Sequence, residues 1–119
     1  NNTLIGIEAG RALTTGDLNV AVGSEALGHS SGATTEGNNT AIGANAMASS
    51  ALNGAEYNVA VGNNTLDAIS SGDFNVAVGY NAGTAYTTGV KGTMVKVIIQ
   101  LLGYKLSQVQ SMVENTTLL

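Results

Sequence analysis

One short phrase occurs five times along this chain: Asn2-Thr3-Leu4-Ile5-Gly6, Asn19-Val20-Ala21-Val22-Gly23, Asn39-Thr40-Ala41-Ile42-Gly43, Asn58-Val59-Ala60-Val61-Gly62 and Asn75-Val76-Ala77-Val78-Gly79. The closing glycines stand 17, 20, 19 and 17 residues apart. Three residues after each glycine comes Ala9, Ala26, Ala46, Thr65 or Ala82, and then Gly10, Leu27, Met47, Leu66 or Gly83. Polar turns such as Thr14-Thr15-Gly16-Asp17 and Ser70-Ser71-Gly72-Asp73 separate the copies. The pattern fills residues 1–89. A unit this short cannot bury an apolar face by itself, so neighbouring units must stack to make a continuous core.

The phrase reads as a strand. In Val20-Ala21-Val22 the two valines project to one face and the alanine to the other, and a β-branched pair suits a pleated, buried surface. The middle residue is alanine in every copy but the first, which has Leu4. The Val/Ile pairs are therefore expected to fill a narrow core. Ala21, Ala41, Ala60 and Ala77 are expected to meet a closely approaching neighbour, which the family resemblance given below implies is a trimer interface. Each phrase ends in glycine, which takes positive φ without penalty. Each begins with asparagine, which tolerates left-handed backbone and caps turns. Asn19, Asn39, Asn58 and Asn75, with Gly23, Gly43, Gly62 and Gly79, are thus the structural residues of the rungs, and stacking would align the asparagines into amide ladders. A parallel β-roll or β-helix is the expected architecture. The rival is alternating strand and helix, with a helix starting at Ser24-Glu25-Ala26-Leu27. Such stretches break at Gly28, 51–54 or Gly83, too soon to be stable as helices.

Composition agrees with a scaffold and removes several functions. The 119 residues include 16 Gly and no Pro, Cys or Trp, and only 10 % are charged, against roughly 25 % in an ordinary domain. Without cysteine there is no disulfide framework, thiolate zinc site or cysteine nucleophile. A sequence pI near 4.5, from one arginine and three lysines, leaves no footprint for nucleic acid. Hydrophobic content of 44 % separates the chain from disordered linkers. The longest strongly apolar run, Met94 to Leu102, covers nine residues where about 20 would span a bilayer, so membrane insertion is not expected. The chain opens Asn1-Asn2-Thr3, with no initiator methionine or signal peptide. It is read as a fragment, a processed product or the ordered part of a longer protein.

Composition shifts after Gly89. Residues 1–89 carry one arginine against seven acids, a net −6, whereas residues 90–119 carry three lysines against one acid, a net +2. Val95, Ile99, Leu102, Leu106, Val109, Val113 and Thr116 follow a 4-3 spacing, the a/d seam of a coiled coil. β-Branched Val95 and Val109 at d, with Ile98 and Met112 at g, lean toward three strands. Ile99, Leu102, Leu106, Val109 and Val113 are therefore the expected contacts of a trimeric helical bundle. Gly103 within that helix costs about 1 kcal/mol relative to alanine, and Val95, Val97, Ile99 and Leu101 also alternate as a strand would. The alternative is a single amphipathic helix that caps the open end of the β-roll and hides its edge.

Residues able to do chemistry are few. The single histidine, His29, lies in the turn Gly28-His29-Ser30-Ser31-Gly32, within the longest insertion between phrases. His29, Ser30 and Ser31 are read as an exposed loop and as candidate receptor contacts. Asp17 and Asp73 recur just before a phrase and read as Asx-turn formers rather than as the paired acids of a glycosidase. The calcium-binding nonapeptide is absent, and the Gly-x-x-x-x-Gly stretches lack the Lys-Ser/Thr of a phosphate loop. Tyr57, Tyr80 and Tyr86 suit either sugar stacking or packing along the repeat edge. No catalytic site, metal or cofactor is expected.

Asn-x-Ala-[Ile/Val]-Gly-x-x-Ala, repeated with Thr-Thr-Gly or Ser-Gly turns, resembles the head repeats of trimeric autotransporter adhesins, which form trimers of left-handed parallel β-rolls. The wording Asn-x-Ala-Val-Gly-Tyr-Asn-Ala-Gly, here Asn75 to Gly83, is more similar still to the shaft and collar repeats of bacteriophage tail fibres. The spacing is longer and less regular than the roughly 14–15 residues of adhesin heads, which tilts the resemblance toward phage fibres. It covers residues 1–89 and implies a homotrimer, with other virion or fibre proteins as partners and a host-surface glycan or protein as target. The expected protein is an all-β solenoid homotrimer over 1–89 with a helical trimerisation or capping segment over 90–119. Its expected role is that of a non-enzymatic virion fibre segment supporting host attachment; the alternative is an adhesin head on the bacterial surface.

Overall fold

The computed structural model describes residues 1–11, 13–28, 35–50 and 52–84, together with the strand Met94–Val95. Six short strands form one parallel sheet in chain order: β1 (Thr3–Ile5), β2 (Val20–Val22), β3 (Thr40–Ile42), β4 (Val59–Val61), β5 (Asn75–Val78) and β6 (Met94–Val95). Thr3, Val20, Thr40, Val59 and Val76 stand in one row across the sheet; Leu4, Ala21, Ala41, Ala60 and Ala77 form the next, and Ile5, Val22, Ile42, Val61 and Val78 the third. The chain is a β-solenoid, and each phrase is one rung. Changes in spacing between rungs are absorbed between Gly28 and Glu36 and between Ala48 and Ala55, so the phrase register is untouched. No α-helix occurs among the described residues, and the stretch Ser24 to Leu27 is a turn.

The coil is closed by left-handed residues at fixed places. Two residues after each phrase glycine stand Glu8, Glu25, Asn45, Asn64 and Asn81, with φ between 54° and 59°. Two further on stand Gly10, Leu27, Met47, Leu66 and Gly83, with φ between 50° and 73°. Just before the phrase asparagine stand Leu18, Asn38, Tyr57 and Phe74, with φ near 60°. Left-handed backbone costs an L residue roughly 1–2 kcal/mol. At Leu27, Met47 and Leu66 that cost is offset twice. Their N–H groups donate to the carbonyls of Ala46, Thr65 and Ala82 on the next coil at 2.8–2.9 Å, and their side chains are buried. The left-handed conformation that asparagine tolerates belongs here to the residue before each phrase asparagine. The phrase glycines do require positive φ, 127–135°. A Cβ on Gly43 would also lie 2.5 Å from the carbonyl of Gly62.

Inside and outside are the reverse of the expectation. Ala21, Ala41 and Ala60 are 0 % exposed within a single chain and Ala77 only 3 %. They line the inside of the coil with Ala26, Ala46, Leu27, Met47, Leu66 and Ile69. A side chain already enclosed has no area to offer a neighbouring chain, so the assignment of these four alanines to a trimer interface is corrected. The physical reason is width. Three left-handed corners per coil bring the opposite wall close, and large inward residues at one of them, Leu27, Met47 and Leu66, with Leu52 and Ile69 further along the chain, leave only methyl-sized space under the strand. The first coil makes the exchange explicit: Leu4 replaces alanine, and Gly10 replaces the corner leucine. A Cβ on Gly10 would meet the two Cδ atoms of Leu4 at 2.7 and 2.9 Å.

β6 pairs with β5 beyond residue 89, with Val95 beside Val76. The ladder therefore continues past the expected boundary between solenoid and helical segment, and Val95 belongs to a rung. The remaining seam residues Ile99, Leu102, Leu106, Val109 and Val113, and the loop residues His29, Ser30 and Ser31, lie outside the described residues.

Candidate functional site: the outward strip of the ladder

A stack of three-residue strands would slide if only main-chain bonds held it, and buried asparagines hold it in register. The N–H of Asn19 donates to Oδ1 of Asn2 at 2.9 Å, that of Asn39 to Asn19 Oδ1 at 3.0 Å, that of Asn58 to Asn39 Oδ1 at 2.9 Å, and that of Asn75 to Asn58 Oδ1 at 2.9 Å. The Nδ2 groups of Asn2, Asn19, Asn39 and Asn58 donate to the carbonyls of Gly16, Glu36, Ala55 and Gly72, each at 2.8 Å. Asn19, Asn39 and Asn58 are essentially unexposed, and in a low-dielectric interior each satisfied amide counts for more than it would in water. The sequence-based expectation of an amide ladder is met. Gly23, Gly43, Gly62 and Gly79 continue it, their N–H groups donating to Ile5, Val22, Ile42 and Val61 at 2.7–2.8 Å.

This frame fixes what points outward. On either side of the alanine row run two β-branched rows, from Thr3 to Val76 and from Ile5 to Val78. They are half-buried to exposed, with Ile5 at 59 %, Ile42 at 39 % and Val78 at 44 %. Two residues earlier in each unit stand Leu18, Asn38, Tyr57 and Phe74. The rings of Tyr57 and Phe74 stack in parallel with centroids 5.0 Å apart. Because they stack on each other from coil to coil, the contact favours the packing reading of Tyr57 over a platform for sugar.

Charge is kept off the strip. Every charged residue described lies in another row: Glu8 and Glu25 at the corner after the glycine, Arg11 and Asp67 beyond it, and Asp17, Glu56 and Asp73 before the phrase. Glu36 is buried in the wall, where its Oε1 accepts from the Gly54 N–H at 3.2 Å. Asp73 accepts the N–H of Glu56, on the preceding coil, at 2.9 Å. It ties one coil to the next, where the sequence suggested a turn within its own coil. Glu8 pairs with Arg11 at 3.1 Å on the surface, worth at most about 1 kcal/mol. Among the described residues no group of three or more His, Cys, Asp or Glu is placed to hold a metal ion, and no helix is long and apolar enough to cross a membrane.

The residues that sequence reasoning placed on the wrong face are the valines and isoleucines of the strip. The alternation Leu18, Val20, Val22 against Asn19, Ala21 was visible, but both faces are apolar and hydrophobicity alone does not say which turns inward. Comparison with family models, with curated proteins and with solved structures finds no match for this chain.

Proposed function

We propose that this chain is a structural, non-enzymatic segment of a homotrimeric fibre, of the kind found in bacteriophage tail fibres and related virion appendages, where it supports attachment to the host surface. One observation supports this above the others: the solenoid is cross-braced from coil to coil by buried amides while it keeps a continuous apolar strip on its outside. A rod that cannot slip in register transmits load along its axis, and an uncharged strip along that axis suits side-by-side association. The repeat wording from Asn75 to Gly83 directs the reading to phage fibres.

Two measurements test it. Mass photometry at micromolar concentration is expected to give three times the 11.9 kDa chain mass; a folded monomer would refute the trimer. Antibodies against residues 1–84 are expected to decorate the appendages of purified virions in electron micrographs. Decoration of a bacterial surface instead would move the protein to the adhesins.

A further inference from the structure

We infer that the outward strip, centred on Val20, Val22, Ile42, Val59, Val61 and Val78, is the seat of a second copy of this chain, packed strip against strip with rungs at the same height. The inference rests on the trimer reading above and names the surface that would carry it.

Three properties of the strip select this occupant. The first is chemistry. The rows contain valine, isoleucine and threonine, and no charged side chain, so a partner presenting charge would have to desolvate it there without compensation. The second is repeat. Parallel strands place the β-branched side chains as ridges about 4.8 Å apart along the axis. A surface that meets all of them in step needs the same spacing, and another copy of this chain has it. Differences in coil length do not disturb this, because they are absorbed in the turns. The third is size. Five strands at that spacing, taken with the flanking rows, present on the order of 400 Å², within the range where an exposed apolar patch on a monomer is commonly functional. A standard interface buries about 800 Å² per partner, so the strip supplies part of the association and the whole chain is needed for the rest.

The test uses the full chain. The double variant V59E/V61E places carboxylates on the strip, and circular dichroism reads whether the solenoid is kept. It is expected to retain the wild-type spectrum and to associate about a hundredfold more weakly or worse in sedimentation velocity. A variant that keeps the wild-type assembly mass overturns the strip as the contact while leaving the trimer standing. A wild-type chain that is monomeric at all concentrations overturns the trimer reading itself. To avoid dependence on a buried charge, Ile42→Cys and Val78→Cys introduce single thiols into a chain that has none. Each is expected to react with maleimide at least tenfold more slowly at assembling concentrations than after dilution to monomer. Equal rates at both concentrations would overturn the inference, whatever the fate of the charged variant.

Discussion

Ala60 and its neighbours Val59 and Val61 belong to one three-residue strand, yet the alanine is sealed inside the coil and the two valines look outward. In an ordinary half-buried strand the larger apolar side chains go in, because they gain most from leaving water. Here the order is reversed, since the coil is too narrow to accept two branched side chains under every strand. Size, set by backbone curvature, overrides hydrophobicity. The burial forgone inside is left on the surface as an apolar strip, and this connects the packing of one chain to its proposed association with others. The first coil supports the same account from the opposite direction: Leu4 can take the inward place only because Gly10 vacates the corner.

The comparison is broken most severely at the glycine that separates the faces. Gly43→Ala sets a Cβ 2.5 Å from the Gly62 carbonyl at φ +134°. Urea unfolding followed by circular dichroism is expected to show a loss above about 4 kcal/mol, or no folded protein. Asn39→Ala removes the acceptor for the N–H of Asn58 and the donor to the Ala55 carbonyl. With both left in the interior, the expected loss is about 2–4 kcal/mol in the same assay. A loss below 1 kcal/mol would mean that the amide ladder does not brace the stack.

Ala60→Val and Val61→Ala then compare the two faces on one strand. The added methyls inside are expected to cost about 1–3 kcal/mol through overpacking. The removed methyls outside are expected to cost the monomer about 0.5 kcal/mol or less. A larger cost for the outward change would contradict the assignment of faces. At the first coil, Leu4→Ala is expected to lose about 1 kcal/mol because Leu4 is partly exposed, and Gly10→Leu in that background to restore most of it. Additive losses in that double mutant would show that the two positions do not share one space.

Much of the fold was legible before any coordinates. The spacing of the phrase glycines fixed which residues pair across the sheet, and Val20 beside Thr40 beside Val59 follows from that spacing alone. The asparagine ladder was legible for the same reason, since a polar residue recurring at one place in a stacked repeat meets itself. The left-handed leucines and methionine were not legible. Nothing local favours that backbone at Leu27 or Met47, and it is held there by hydrogen bonds to coils some twenty residues away. The strand at Met94–Val95, beyond the boundary expected near residue 89, was not legible, because the apolar residues there satisfy both helical and strand periods and only the pairing with β5 shows these two residues as strand.

By itself, then, the sequence determined that the chain stacks, how often it turns, which residues form each rung and that asparagine ties rung to rung. These are consequences of a repeat, and a repeat is a one-dimensional property. Only the tertiary structure decided which face of each strand is inside. That choice depends on the radius to which the coil closes, and the radius comes from left-handed corners whose cost is offset only when the neighbouring coil is already in place.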